Sequence, residues 1–278
     1  MTEDFTMDED IATFALGDKN TSGDLVDALE KQTLNDKDSK KPKTQTKTFK
    51  KRPITVAPLK ANAPFVSTTI SPANIVAFKG KEDYLSTFYK SEIEIGGIYY
   101  PSVEQYYQAT KIYSLCGPHA ASRLQTCRFP HEAKSRAKEI LRRGNVSFRN
   151  VEAWKASQGV SVLLYANALK FLQNPKLMDK LRETGDKLLV QVYEGDNLYA
   201  CGMNAEDLTK WAKENEGKTL NYPYHLKADT ITMFPVIGEG RNLSGMVLMK
   251  VRSVLKDYPK EQLKDKATQA AILAKIIN

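Results

Sequence analysis

The sequence predicts an α+β protein in which helices outnumber strands, preceded by a charged tail that does not fold by itself. Three observations lead there. Large apolar residues are sparse over the first sixty positions. Beyond them, apolar residues recur mostly at helical spacing between recognisable caps, and only a few short stretches alternate as strands do. With 278 residues, 41% hydrophobic and 27% charged, the chain supports one good core, two at most.

Charge divides the chain. Residues 1–36 hold ten acids against two lysines, and Lys37–Arg52 holds eight bases against one acid, which leaves +9 for the remainder of a chain whose formal net charge is +8. Blocks of this kind bury too little surface to offset the entropy of ordering, so residues 1–60 are expected to be a disordered tail and 61–278 a globular domain. The stretch KDSKKPKTQTKTFKKR reads either as an arm for polyanions or nuclear targeting, or as a solubilising segment. DLVDALEKQTL would form a helix on meeting a protein partner. A globular part this basic favours phosphate-bearing ligands or nucleic acid. No apolar run approaches about 18 residues, and the N-terminus is acidic rather than basic-then-apolar, so an intracellular, cytoplasmic or nuclear protein with no membrane association is expected. Cys116, Cys127 and Cys201 form no C-x-x-C pair, and the three histidines have no ligand spacing; neither a disulfide, a metal nor a cofactor is expected.

Order should begin near Ile54–Phe78. In SEIEIGGIYYPS, Ile93 and Ile95 alternate with Glu92 and Glu94, and Gly96-Gly97 supplies a two-residue hairpin turn before Ile98-Tyr99-Tyr100. Ser102, followed by Gln105, fits a capping box for a helix to about Leu115, ahead of Gly117-Pro118. A second helix is predicted over His131–Arg143, ended by Gly144. A long one follows over Val151–Gln173, interrupted at Gly159 and stopped by Asn174-Pro175. Next come a short helix ending at Gly185, a strand over Lys187–Tyr193, a turn at Gly195–Asn197 and a helix over Glu206–Asn215. A polar insert follows, near 203–239 overall, then a strand at Thr230–Val236, a turn at Gly238-Glu239-Gly240, a helix over Leu243–Leu255 and a C-terminal amphipathic helix.

Three places could carry chemistry. Glu104, Gln108 and Lys111 fall at i, i+4 and i+7, on one stripe of a helix. That stripe is either a solvated face with a Glu–Gln pair or one wall of a pocket. The crowd of Tyr99, Tyr100, Tyr106, Tyr107 and Tyr113 favours the pocket, because aromatic bodies with polar tips suit a flat heterocycle. Asp196 follows a strand and a glycine in YEGDNLYACG, where it either projects from a rigid loop or closes a turn. Arg241 and Asn242 in GEGRNLSGM stand at a helix start, where free N–H groups and the dipole would favour phosphate, although Asn242 is also a plain N-cap candidate.

In order, YLSTFYKSEIEIGGIYYPSVEQYYQATK (Tyr84–Lys111), Trp154, ALKFLQNPKLMDKLRETGDKLLVQV (Ala168–Val192), DNLYACG (Asp196–Gly202) and GRNLSGMVLMKVR (Gly240–Arg252) resemble the NADAR family, the YbiA-like proteins, over roughly residues 78–256. The resemblance implies a compact, helix-dominated α+β domain. It also implies N-glycosidase chemistry on ADP-ribose-like or phosphoribosyl substrates: removal of ADP-ribose from modified guanine, on nucleic acid, or cleavage of phosphorylated riboflavin precursors. Carried over by position, it marks Glu104 and Asp196 as catalytic. Phe88, Tyr107, Gln108, Lys111, Trp154, Tyr199, Arg241 and Asn242 become substrate-binding, with Trp154 stacking on a base. Four steps depart from the family pattern: Gln191 replaces a common Glu, Tyr199-Ala200 a Trp-Gly, Leu163-Leu164 a Val-Met, and the segment from Asn242 to Gly245 reads N-L-S-G rather than N-x-L-G.

Breaking a ribosyl C1′–N bond builds positive charge at the anomeric carbon, so a carboxylate is needed beside it. Gln191 and Tyr199 instead favour a second reading, a weakly catalytic module that binds ADP-ribose or nucleic acid. The basic charge alone supports a third, a plain nucleic-acid-binding or scaffold protein.

Overall fold

The computed structural model describes residues 53–277. The tail segments read from the sequence, including the basic arm and DLVDALEKQTL, lie outside them. Within them the chain folds as β1 (Phe65–Thr69), β2 (Ile75–Phe78), β3 (Ile93–Ile95), β4 (Ile98–Tyr100), α1 (Val103–Cys116), α2 (Pro118–Ser122), α3 (Pro130–Arg143), α4 (Phe148–Ala156), α5 (Gln158–Gln173), α6 (Pro175–Glu183), β5 (Leu188–Gln191), α7 (Ala205–Glu214), β6 (Thr219–Pro223), α8 (Leu243–Leu255) and α9 (Lys266–Ile277). This is an α+β, helix-dominated architecture. The strands form three two-stranded sheets: β1 antiparallel to β6, β2 parallel to β5, and the β3–β4 hairpin.

Helix α5 is the axis of the core. Its apolar residues point in all directions, from Val160 to Leu172, and a helix apolar all round must be enclosed. It packs against α1, α6, α8, α9 and β3. A smaller cluster of Ile112, Leu124, Ala133, Ala137 and Ile140 joins α1 to α2 and α3. Helix α1 therefore lies between two cores, with Val103, Tyr106 and Tyr107 in the larger and Ile112 in the smaller. Its polar stripe is enclosed as a consequence: Glu104 is 7%, Gln108 2% and Lys111 9% exposed, so the solvated-face reading does not hold.

Local signals set most boundaries. Gly96 and Gly97 take φ of 58° and 76°, the doubly left-handed turn that a two-residue hairpin requires. Ser102 Oγ accepts from Gln105 N at 3.2 Å and donates to Gln105 Oε1 at 2.9 Å. Asp265 accepts from Thr268 N and so starts the last helix at Lys266, whose Ile272 and Ile276 are buried.

Three expectations are corrected. The interruption between α4 and α5 falls at Ser157 (φ −115°, ψ −93°), with Gly159 inside the first turn of α5. Thr230–Val236 is not a strand. Ala228–Met233 is a 3-10 helix, because Thr230 Oγ1 accepts from Lys227 N and donates to His225 O, which closes a turn. The polar insert contains an unexpected strand, β6, which pairs with β1 in the register Phe65↔Pro223 to Thr69↔Thr219.

Candidate active site

Glu104 enters the site from the first turn of α1. Its backbone N–H donates to Thr87 O at 3.0 Å, and Thr87 Oγ1 donates to Glu104 Oε2 at 2.9 Å. Gln108 Nε2, one turn on, donates to Glu104 Oε1 at 2.8 Å. Both carboxylate oxygens are thereby fixed from different elements, while Gln108 Oε1 has no partner among the described residues. The loop that carries Thr87 is itself held from beneath: Lys170 of α5, fully buried, donates to Tyr84 O at 2.6 Å and Ser86 O at 2.9 Å. Burial pushes the Lys170 ammonium down to about 7, with Asp83 opposing.

Lys111 completes the stripe. Its Nζ lies 5.7 Å from the centre of the Tyr107 ring. Burial lowers its pKa to about 8; Lys155 and Lys134 add to the effect, and Glu104 and Glu152 oppose it. These interactions place α3, through Lys134, and α4, through Glu152 and Lys155, around the same centre. Lys134 also stands 5.3 Å above the half-buried Phe88 ring, and Lys155 pairs with Glu152 at 3.0 Å.

The aromatic wall is a chain of hydroxyls and rings. Tyr107 Oη donates to Tyr199 Oη at 2.9 Å, and Tyr199 Oη donates to Lys155 O at 2.6 Å. Trp154 meets the Tyr107 ring edge-on at 5.2 Å, is only 4% exposed, and has an indole N–H without an acceptor among the described residues. With so little open surface, Trp154 braces the Tyr107 ring, whereas Phe88 is half-buried. Gly159 leaves room for this cluster. A Cβ there would lie 2.7 Å from Tyr199 Oη and 3.0 Å from Tyr107 Oη.

Asp196 closes a turn. Its Oδ1 accepts from Leu198 N at 2.9 Å and Tyr199 N at 2.8 Å, so it fixes the loop that delivers Tyr199. It also faces the cluster electrostatically. Tyr107 and Tyr199, both driven up chiefly by burial, are raised further by Asp196 and by Glu104. The two predicted catalytic carboxylates thus act on the same pair of phenols.

Arg241 and Asn242 are arranged otherwise. Arg241 donates to Thr232 O, Phe234 O and Thr55 O, and Asn242 holds strand β5 from both ends of its amide, accepting from Gln191 N and donating to Leu189 O, each at 2.8 Å. The N–H groups of Arg241, Asn242, Leu243 and Ser244 donate to the carbonyls of Asn197, Ala200, Leu198 and Tyr199. The helix start predicted for phosphate instead clamps the Asp196–Tyr199 loop. Sequence reasoning missed Thr87, Lys134, Glu152, Lys155, Gly159 and Lys170. Only Gly159, a glycine inside a helical pattern, carried a readable signal.

The NADAR domain family model matches residues 77–256. The chain belongs to the NADAR domain family. A stretch of 91 residues is 33% identical to N-glycosidase R617 of Acanthamoeba polyphaga mimivirus, covering 33% of this chain and 41% of that relative, so the match spans less than half of the viral protein. The NMR structure of the E. coli protein YbiA matches with a TM-score of 0.44 at 21% identity, over 66% of this chain and 86% of that one. Within this NADAR domain no group of three or more His, Cys, Asp or Glu among the described residues is placed to hold a metal, and no helix there is long and apolar enough to cross a membrane.

Proposed function

We propose that this NADAR domain is an N-glycosidase that hydrolyses a ribosyl C–N bond, with an ADP-ribosyl group on a guanine base of nucleic acid as its substrate. The observation that carries the reading is the buried Glu104 carboxylate, fixed by Thr87 and Gln108 beside Lys111. A preset carboxylate is what an oxocarbenium-like transition state requires, because it stabilises charge without reorganising.

In this mechanism water attacks C1′ as the C1′–N electron pair leaves with the nitrogen. Glu104 faces the positive sugar carbon and takes the proton of the attacking water, while Asp196 adds negative charge beside Tyr107 and Tyr199. Lys111, which gives up its proton near pH 8, is matched to supply the proton taken by the leaving nitrogen. Phe88 stacks on the base, Gln108 Oε1 and the Trp154 N–H remain for hydrogen bonds to the ligand, and Lys134 and Lys155 draw in the diphosphate. Arg241 and Asn242 position the Asp196–Tyr199 loop.

A nucleic-acid-borne substrate is favoured over a free phosphoribosyl compound of the riboflavin pathway by the outer face of α3. Lys134, Arg136, Lys138, Arg142 and Arg143 are exposed there, continued by Arg123, Arg128 and Arg149 and by exposed Phe129 and Phe148. Cations interleaved with open aromatic rings suit a phosphate backbone and its bases. Lys134 joins that face to the cleft.

The test is hydrolysis of an oligonucleotide carrying ADP-ribosyl-guanine, with a phosphoribosyl riboflavin precursor alongside, by wild type, Glu104→Gln and Asp196→Asn. Glu104→Gln should lower kcat/KM by about a thousandfold. A change of less than about threefold, ~0.65 kcal/mol in barrier, would end the glycosidase reading. Tight ADP-ribose binding without release from either substrate would leave a binding module instead.

A further inference from the structure

A cavity of about 690 Å³ lies between β1, β6, the C-terminal end of α6 and one face of α8. Lys250 of α8 reaches into it. This side chain is only 7% exposed, and its Nζ has no hydrogen-bond acceptor among the described residues. The face of the Tyr224 ring, 3.6 Å away, covers one side of the ammonium, and its N–H donors meet no acceptor among the described residues. Buried ammonium groups are ordinarily paired or hydrogen-bonded. Among the described residues Lys250 has neither support: burial lowers its pKa to about 8, and Lys227 lowers it further.

The rest of the lining does not supply the missing anion. Arg252 is tied to Thr184 Oγ1 and Lys187 O, and Arg182 donates to Leu255 O and Tyr258 O while its Nε, also buried, has no acceptor among the described residues. Lys256 adds a fourth cation. The two lining carboxylates are Asp186, which acts on Arg252, and Asp257. On the same face of α8 as Lys250, Met246 and Met249 give apolar surface, to which Tyr222 and Phe234 add, and Ser67, Thr68 and Ser253 bring hydroxyls.

From the open Lys250 ammonium and this apolar surface we infer a second ligand site, for a small organic anion that carries a flat apolar ring, its phosphate or carboxylate meeting Lys250 and its ring lying against Met246, Met249 and Tyr222. The cavity is large enough for a mononucleotide-sized guest. It is built in part from β6 and the segment that follows, inside the 203–239 insert, and its lining includes none of Glu104, Gln108, Lys111, Asp196 and Tyr199, so it stands whether or not the glycosidase reading does.

The full-length chain is titrated calorimetrically with phenyl phosphate, benzoate and, as the neutral control, phenol. Phenyl phosphate should bind wild type and Glu104→Gln alike, and Lys250→Met should weaken it by at least about tenfold. Comparison with benzoate tells a phosphate from a carboxylate guest, and phenol should bind far more weakly than either. Undiminished binding to Lys250→Met, loss in Glu104→Gln only, or no binding at about 10 mM would overturn the proposal. Labelling of Lys250 in wild type by trinitrobenzenesulfonate, with the site read by mass spectrometry, needs no variant. Saturating phenyl phosphate should slow it at least about fivefold, and an unchanged rate would count against the site.

Discussion

The starts of α1 and α8 can be set side by side. Each bears an amide and a cation beside a glycine- or serine-marked turn, and each offers main-chain N–H groups to whatever lies in front. At α8 every one of these groups is engaged internally: Asn242 at both ends of its amide, Arg241 by three carbonyls, and four successive N–H groups by the 197–200 loop. At α1 the bonds run toward a centre and stop short of closing it, because Gln108 Oε1 and Trp154 Nε1 have no partner among the described residues while Glu104 is fixed from two sides. Buried polar groups with all their bonds made give rigidity, whereas buried groups with one bond outstanding mark where a ligand completes the set. The same residue types serve as clamp in one place and as reactive wall in the other.

The largest effect expected from that contrast is the thousandfold loss in kcat/KM for Glu104→Gln, with unfolding in urea left nearly unchanged. Asn242→Ala should do the opposite. It orphans Gln191 N–H and Leu189 C=O and puts alanine at φ 51°, so a loss of about 3 kcal/mol in urea unfolding is expected, with a much smaller change in turnover per folded molecule. Equal behaviour of the two variants in both measurements would remove the distinction between clamp and reactive wall.

Gly159→Ala sharpens it further. Alanine is the better helix former by about 1 kcal/mol, yet its methyl would press on Tyr199 Oη and Tyr107 Oη. Turnover should fall by about tenfold while stability changes little. Activity equal to wild type would show that the paired tyrosines tolerate displacement.

Acidity gives the smallest and most diagnostic effect. Burial lowers Lys111 and Lys250 to about 8 and Lys170 to about 7 from 10.5. Between those values and 10.5 the unfolded chain binds more protons than the folded one, so the penalty is full below pH 7 and is relieved as pH rises toward 10. Melting temperature should therefore climb by a few degrees from pH 7 to about 9. Turnover, which needs the Lys111 proton, should decline through about pH 8. Parallel rather than opposed trends would exclude Lys111 as the acid.

Reading these elements from sequence succeeded where the cause was local. The Gly96-Gly97 turn, the Ser102 cap, the Asn174-Pro175 stop and the Leu243–Leu255 helix each depend on residues within a few positions. Thr230–Val236 failed because a threonine side chain closed a turn that strand propensity ignores. The β1–β6 pair went unseen because its partners are separated by about 150 residues, and β6 is only five residues long with two of them exposed. For the site, the spacing of Glu104, Gln108 and Lys111 was legible, but whether that stripe was wet depended on two cores closing around α1.

The sequence by itself determined the helical frame, the hairpin, the family and the stripe of polar groups on α1, since periodicity and caps act over one or two turns. Only the tertiary structure decided which polar groups are left unsatisfied: that Thr87 grips Glu104, that Lys134 and Lys155 act on Lys111, that Asn242 is a clamp, and that the Lys250 ammonium has no acceptor among the described residues. Burial and hydrogen bonding are properties of neighbours in space, and those neighbours come from segments that nothing in the local sequence connects.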